Sequence, residues 1–364
     1  MPSHRRQHAR SPLQGFPLIA VIALAVVGVS ACNSARQGSD PSPAASSLST
    51  SVPATTLTAP ATLRPTAIAF LSTTRGVVAG QMVTDPAKPD GPSTIQLTSD
   101  GGATWNIVCK LRGPVTSLSA VAPGNIWALA ADGHMTGAPS RLLASSDGGA
   151  TWRRVGRPVA GVVGITFVSH MVGFALQETP AVQPDNTPWT LLRTTDDGRS
   201  WRVVGRAAPA GTTTAAIAFV DSNRGWLLRA GQRSAGQQLR ELLATGDGGR
   251  HWRRVAGTVS PSEAAASSKD GLGTIGYPAS LFFLADGHGW IGLNYAATII
   301  ATRDGGRSWR WSGGRLSDYG AGPMCFLSDA NGFAIAGSGV HFRLTRTWNG
   351  GRSWIAVHKW SLPD

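Results

Sequence analysis

Thr98–Trp105 reads TSDGGATW, and five later stretches repeat it. Ser145–Trp152 is SSDGGATW, Thr194–Trp201 is TTDDGRSW and Thr245–Trp252 is TGDGGRHW. Thr302–Trp309 is TRDGGRSW and Thr347–Trp354 is TWNGGRSW. The shared pattern is Ser/Thr-x-Asp-x-Gly-x-x-Trp, with Asn349 standing where the other boxes have Asp100, Asp147, Asp196, Asp247 and Asp304. The tryptophans Trp105, Trp152, Trp201, Trp252, Trp309 and Trp354 follow one another at intervals of 45 to 57 positions. A near-constant period of that size marks a repeat array, in which each unit needs its neighbours to complete a core.

Each box carries its own turn chemistry. A short carboxylate followed by glycine makes a tight turn, because the oxygens accept backbone N–H groups and glycine takes the positive φ. The Ser or Thr hydroxyl closes the other side of the turn. The tryptophan then opens the next strand and buries a large ring. Every one of these roles is structural, so the boxes read as scaffold.

A second repeat lies between the boxes. Ala67–Val78, Ser117–Leu129, Gly164–Leu176, Ala216–Leu228, Ser280–Leu293 and Pro323–Ile335 each hold an apolar run, a polar turn and a second apolar or aromatic run. That is a hairpin signal. A short run precedes each box and another follows its tryptophan, so each unit supplies four strands. Four-stranded units arranged radially make an all-β fold, the β-propeller. Six antiparallel blades are expected; a seventh would need a degenerate unit from the one spare stretch, residues 256–278.

The boxes and the Gly225-Trp226 pairing that precedes Asp247-Gly248-Gly249 resemble the Asp-box (BNR) repeats of sialidases, sortilins and the photosystem II assembly factor family. The resemblance spans about four-fifths of the chain and implies a propeller. A sialidase site would further imply an arginine cluster, a tyrosine nucleophile with an acidic partner, and an acidic proton donor. Only Tyr277, Tyr295 and Tyr319 exist, and the family's Arg-Ile-Pro motif is missing. The expected inner strands, such as AIAFL and GITFV, carry no Arg, Asp, Glu or Tyr, which leaves the axis poorly equipped for acid–base work.

The N-terminus reads as an export signal. Arg5, Arg6 and Arg10 precede an apolar run from Phe16 to Val29, which ends on Ser30-Ala31-Cys32. This is the anatomy of a secretory leader, and its ending resembles a bacterial lipoprotein signal with Cys32 as the lipidated mature N-terminus. Residues 1–31 are then the leader, and 32–64, rich in Ser, Thr, Pro and Ala, form a tether too poor in apolar residues to order itself. The propeller occupies 65–364. The formal charge is +13. Arginines after the box tryptophans, as in Trp-Arg-Arg-Val at 152–155 and 252–255, guard outer strand edges against pairing. An exported chain without an aromatic–basic stacking face is not expected to bind nucleic acid.

No metal or cofactor motif is found: the histidines are scattered, and the Asp-Gly-Gly triplets lack the further acidic ligands of a calcium loop. Binding is expected on the loops of the face opposite the boxes, with Met135, Glu178, Asp185, Trp189 and Arg229 as candidate contacts. Cys109 and Cys325 fall in units that a six-bladed ring would make neighbours, so a disulfide between them is one candidate for closing the ring; two free thiols are the alternative. The expected protein is a lipid-anchored, non-catalytic binding or scaffold module on the outer face of the cytoplasmic membrane or the cell surface. Its partner would be a protein or another cell-envelope macromolecule. The alternative is a glycan-active hydrolase of sialidase-like fold.

Overall fold

The computed structural model describes residues 26–27, 63–83, 91–132, 139–178, 189–206, 214–260, 270–294, 298–316 and 320–362. Six four-stranded antiparallel sheets, each in sequence order from inner to outer strand, form the blades of a propeller. They span 63–111, 115–159, 162–206, 214–258, 277–315 and 321–361. Every blade is a continuous piece of chain. Val26–Val27, within the expected leader, lie in parallel register with Gly164 and Ile165 on the inner strand of blade three. All six blades are complete without that pair.

The inner strands are Leu63–Phe70, Val115–Val121, Val162–Phe167, Thr214–Phe219, Tyr277–Phe283 and Ala321–Phe326. They begin two to four residues earlier than the hydrophobic runs alone suggest, which brings Arg64 and Tyr277 into inner strands that were expected to hold neither residue type. Small side chains let these strands approach, and hydroxyls stitch them across blades. Thr66 Oγ1 donates to Val115 O at 2.6 Å, Ser119 Oγ accepts from Phe167 N at 2.8 Å, and Ser280 Oγ donates to Gly322 O at 2.9 Å.

The blade seams are aromatic. Trp127 of blade two stacks on Phe167 of blade three, and Phe174 of blade three on Phe219 of blade four. Trp226 stacks on Phe283, Trp290 on Phe326, and Phe333 of blade six on Phe70 of blade one, with centroids 3.6–3.9 Å apart. The receiving phenylalanine then meets the box tryptophan of its own blade edge-on, as Phe70 meets Trp105 and Phe283 meets Trp309. Space for each receiving ring comes from a glycine directly across the hairpin: a Cβ on Gly76 would lie 2.5 Å from Phe70. In blade two the cross-strand pair is reversed in size, Ala120 facing Ile126. The seam between blades one and two therefore has no ring stack. There Val77 packs over Gly149, and Arg75 donates to the carbonyls of Asp147 and Gly148.

This arrangement answers how the ring closes. Cys109 and Cys325 are free thiols. Cys109 lies on the outer strand of blade one, opposite Ile95, and Cys325 on the inner strand of blade six, opposite Phe333. They belong to different apolar clusters. The closing seam is held instead by Phe333 on Phe70 and by Leu344 over Gly102. It is extended by Trp360 beside Trp105 and by the His358 imidazole 3.2 Å from Ala103 O. Burial holds the His358 pKa below its ordinary value. Among the described residues the 256–278 stretch supplies no seventh blade: its ends continue the outer strand of blade four and begin the inner strand of blade five.

Removing the closing ring tests this account. Phe333→Ala should destabilise the fold by about 3–5 kcal/mol, as a large buried aromatic truncation does, measured by equilibrium denaturation. Alkylation of the unreduced, denatured protein should label both Cys109 and Cys325, with no change in stability on adding reductant.

Candidate functional site

The box turns are built as their residues require. Thr98 Oγ1 donates to Asp100 Oδ1 at 2.8 Å and accepts from Gly102 N at 2.9 Å. Asp100 in turn accepts from Thr104 N at 3.0 Å and Thr104 Oγ1 at 2.6 Å. The same bonds recur through Asp147, Asp196 and Asp304, and in the fourth box His251 Nδ1 takes the hydroxyl's place, 2.6 Å from Asp247 Oδ2. Asn349 keeps the geometry with one bond turned round, its Nδ2 donating to Ser353 Oγ at 2.8 Å. The boxes also reach across the seams. Trp127 Nε1 donates to Asp197 Oδ1, Trp226 Nε1 to Gly305 O and Trp290 Nε1 to Gly350 O, each from the preceding blade. These carboxylates are fully engaged in turn hydrogen bonds, as a scaffold role requires.

Burial would raise the pKa of Asp100 and Asp304, but the hydrogen bonds from Thr104 and Ser308 outweigh it and hold both carboxyls at about 2. For Asp196 the Ser200 hydroxyl is the largest influence, with the same result, about 2. The ordinary value is 3.8. A carboxyl lowered on folding is protonated first in the unfolded chain, so its stabilisation is present above that value and lost as pH falls toward 2. Thermal unfolding followed from pH 6 to pH 2.5 should therefore show the midpoint falling below about pH 4. Asp304→Asn, which copies the sixth box, should fold and show a smaller acid-induced drop.

The A–B turns, which join the first and second strands of each blade, share one face with the boxes, where Gly101 N donates to Thr74 O and Gly248 N to Asn223 O. The other face carries the longer connections, and the densest polar grouping there lies on blades three and four. Glu178 ends the second strand of blade three and pairs with Trp189 on the third. Burial raises the Glu178 pKa. Trp189 is not the exposed contact that its place beside a loop suggests: it is 5% exposed and belongs to the apolar cluster that joins blades three and four. Arg229 sits opposite Glu241 and is ion-paired with it. Met135 and Asp185 lie outside the described residues.

The stretch 230–238, read from sequence as a loop, is the tip of a long hairpin. Its strands are Gly225–Ser234 and Gln237–Thr245. The two residues between, Ala235 and Gly236, have φ of +44° and +82°, the signature of a type I′ turn. Behind this tip lies 270–276. Arg240, 2% exposed, donates from Nε to Gly273 O at 2.8 Å and from a terminal nitrogen to Ile275 O at 2.6 Å. Burial brings its pKa down to about 10, so it stays charged at neutral pH. The Tyr277 hydroxyl accepts from Gly236 N at 3.0 Å, and the Arg233 guanidinium lies 4.9 Å over the Tyr277 ring. Asp270 braces the far side, accepting from Gly257 N and Leu272 N.

Arg233, Arg240 and Tyr277 thus meet at the blade four–five junction, and none of them stood out in the sequence; Arg229 and Glu241 lie on the opposite face of the same sheet, with Leu227 and Leu243, which pack toward blade three. The missed signal was the alternation around Ala235-Gly236, which a loop reading obscures. Among the described residues no group of three or more metal-ligating side chains comes together.

Fold and site define a six-bladed β-propeller, a class shared by proteins of unrelated function. No family model and no curated protein matches the sequence. Solved structures do. The α-L-arabinofuranosidase Arb93A from Fusarium graminearum, in complex with an iminosugar inhibitor, is similar with a TM-score of 0.53 at 14% identity, over 76% of this chain and 90% of that one. The Trypanosoma rangeli sialidase in complex with 2,3-difluorosialic acid has a TM-score of 0.50 at 12% identity, over 80% and 53%. YCF48 bound to D1 peptide has a TM-score of 0.47 at 16% identity, over 85% of each chain. At these identities the likeness is one of fold.

Proposed function

We propose that the chain is a lipid-anchored, extracytoplasmic β-propeller that binds a protein or other cell-envelope macromolecule and catalyses no reaction on it. The observation that carries this reading is how the ionisable groups of the loop face are engaged. Glu241 is neutralised by Arg229, Arg240 is tied to two backbone carbonyls, and the Tyr277 hydroxyl is held by Gly236 N. A nucleophile or general acid must be positioned toward substrate with its reactive atom available. Arg240 and Tyr277 brace the hairpin tip against the 270–276 segment, and the Arg229–Glu241 pair ties the two strands of the hairpin to each other. A braced tip on a rigid ring is the kind of surface on which loops hold a macromolecular partner. The leader ending at Cys32 and the tether after it supply the reading of location, and two acyl chains would suffice for stable anchoring.

A hydrolase is the second reading, favoured by the presence of Tyr277, Arg233 and Arg240 at one junction. A panel of fluorogenic glycosides separates the two. No turnover is expected from the wild type, whereas turnover abolished by Tyr277→Phe would establish the hydrolase. The anchor is tested by Cys32→Ala, which should leave the leader uncleaved or move the protein out of the membrane fraction. Unchanged mass and fractionation would overturn the anchoring. Crosslinking in intact cells, followed by affinity capture and mass spectrometry, should recover a defined partner whose yield falls when the Ala235-Gly236 tip is altered.

A further inference from the structure

The six units invite comparison position by position, and one seam departs from the rest. Three residues beyond the box tryptophan, blades one to four and six have valine: Val108, Val155, Val204, Val255 and Val357. Each packs into an apolar cluster of its blade. Blade five has Ser312 there, and its buried Oγ has no hydrogen-bond partner among the described residues. The glycine at the fifth position of each box is covered by the preceding blade. Leu344 covers Gly102, Leu142 covers Gly198, Leu191 covers Gly249 and Leu242 covers Gly306, each from a third strand, and Val77 covers Gly149 from a second strand. Over Gly351 the nearest side chain of the preceding blade is Ser312, from the outer strand. A hydroxyl thus stands at a position that is valine in the other five blades.

A cleft opens at that seam, on the box face between blades five and six, with a volume of about 410 Å³. That lies within the range of small-ligand sites. Arg303, Arg310, Arg352, Trp311 and Ser312 are among its lining. Among the described residues none of the three guanidinium groups has a hydrogen bond or ion pair, in contrast to Arg229, paired with Glu241, and Arg240, bonded to two backbone carbonyls. Trp311 is 62% exposed, the most exposed indole described. The two carboxylates at the rim differ: Asp304 is held within its own box turn, and Asp329 belongs to the A–B turn of blade six.

From this we infer that the blade five–six cleft is a binding site for an anionic glycan, a sugar chain bearing carboxylate or sulfate groups. The exposed indole face matches the apolar C–H face of a pyranose ring. The guanidinium groups match the anionic substituents at its edge, where planar bidentate contacts are strongest. Ser312 supplies a hydroxyl where a valine methyl would close the space. The inference is independent of the loop-face partner, because it concerns the opposite face of the ring.

The test uses the full mature chain in detergent and a heparin-derived tetrasaccharide, followed by calorimetry and by tryptophan fluorescence. Cellotetraose and inorganic sulfate serve as comparators. The tetrasaccharide should bind with a change in indole emission, and the neutral sugar should not bind. Trp311→Ala, the Arg303→Gln/Arg352→Gln pair, and Ser312→Val should each weaken binding at least tenfold with the melting temperature kept. Ser312→Val restores the residue found in the other five blades, so loss of folding is not expected from it. Arg154→Gln/Arg157→Gln on the outer strand of blade two should bind as the wild type does. No binding at millimolar tetrasaccharide would overturn the site. So would equal binding by the cleft variants, equal loss in the blade-two pair, equal affinity for cellotetraose, or equal affinity for sulfate alone.

Discussion

The seam between blades is the interaction on which everything else in this chain depends. A blade cannot bury both of its faces alone, so stability lies in how each packs on the next. Here the contact is a three-part stack: an aromatic from the second strand of one blade, a phenylalanine from the inner strand of the next, and that blade's box tryptophan set edge-on. Offset and edge-to-face geometries of this kind add about 0.5–1.5 kcal/mol per pair beyond area burial. The box turn holds the third member in place and offers carbonyls to the indole of the preceding blade. The repeated motif is therefore both a turn and a lock, and the first role serves the second. Its glycines follow from the same demand: Gly102 and Gly306, at φ of +96° and +91°, leave room for a leucine from the neighbouring blade.

This explains how the ring closes with neither a shared blade nor a disulfide. Many closed arrays need a special device where the chain ends meet. Here the last blade presents Phe333, Leu344 and Trp360 to the first in the manner of the other seams. The exception lies elsewhere, between blades one and two, where the large–small cross-strand pair is inverted to Ile126 and Ala120. Arg75 reaches the box carbonyls there. The cost of losing a ring stack is offset locally by charge-assisted bonds to backbone oxygens.

The architecture was legible because it is periodic. Six boxes, six hairpins and the alternation of apolar runs determine the blade count and the face on which each turn lies. What could not be read was anything set by neighbours in space. Trp189 beside a loop looked exposed because sequence does not show that the apolar cluster joining blades three and four extends to it. Residues 230–238 looked like a loop because Ala235 is a poor predictor of positive φ. The separation of Cys109 and Cys325, by contrast, was legible: the repeat pattern already puts one on an outer strand and the other on an inner one, and both are free. Arg240 gave no sign of its burial, since arginine is rarely enclosed without partners and its acceptors are carbonyls 33 and 35 positions away.

In a repeat array each unit serves as a control for the others. A position kept apolar in five blades has been kept so by packing, since all six seams face the same geometric demand. A polar residue at that position in the sixth has given up packing energy that its siblings retain. Where the exchange is matched by a second one, as Asn349 for aspartate is matched by a reversed hydrogen bond to Ser353, the turn is intact and the substitution is structurally silent. Where it is left unmatched, as with the Ser312 hydroxyl, the seam opens. The same reasoning separates the two arginine groups of this molecule. Arg229 and Arg240 of blade four are bound to acceptors within the fold and stabilise it. Those around the blade five–six cleft stand beside an exposed indole and a widened seam, and among the described residues they meet no acceptor of the fold. The contrast between satisfied and unsatisfied donors, more than the total positive charge, distinguishes the part of the surface that holds the fold together from the part suited to hold something else.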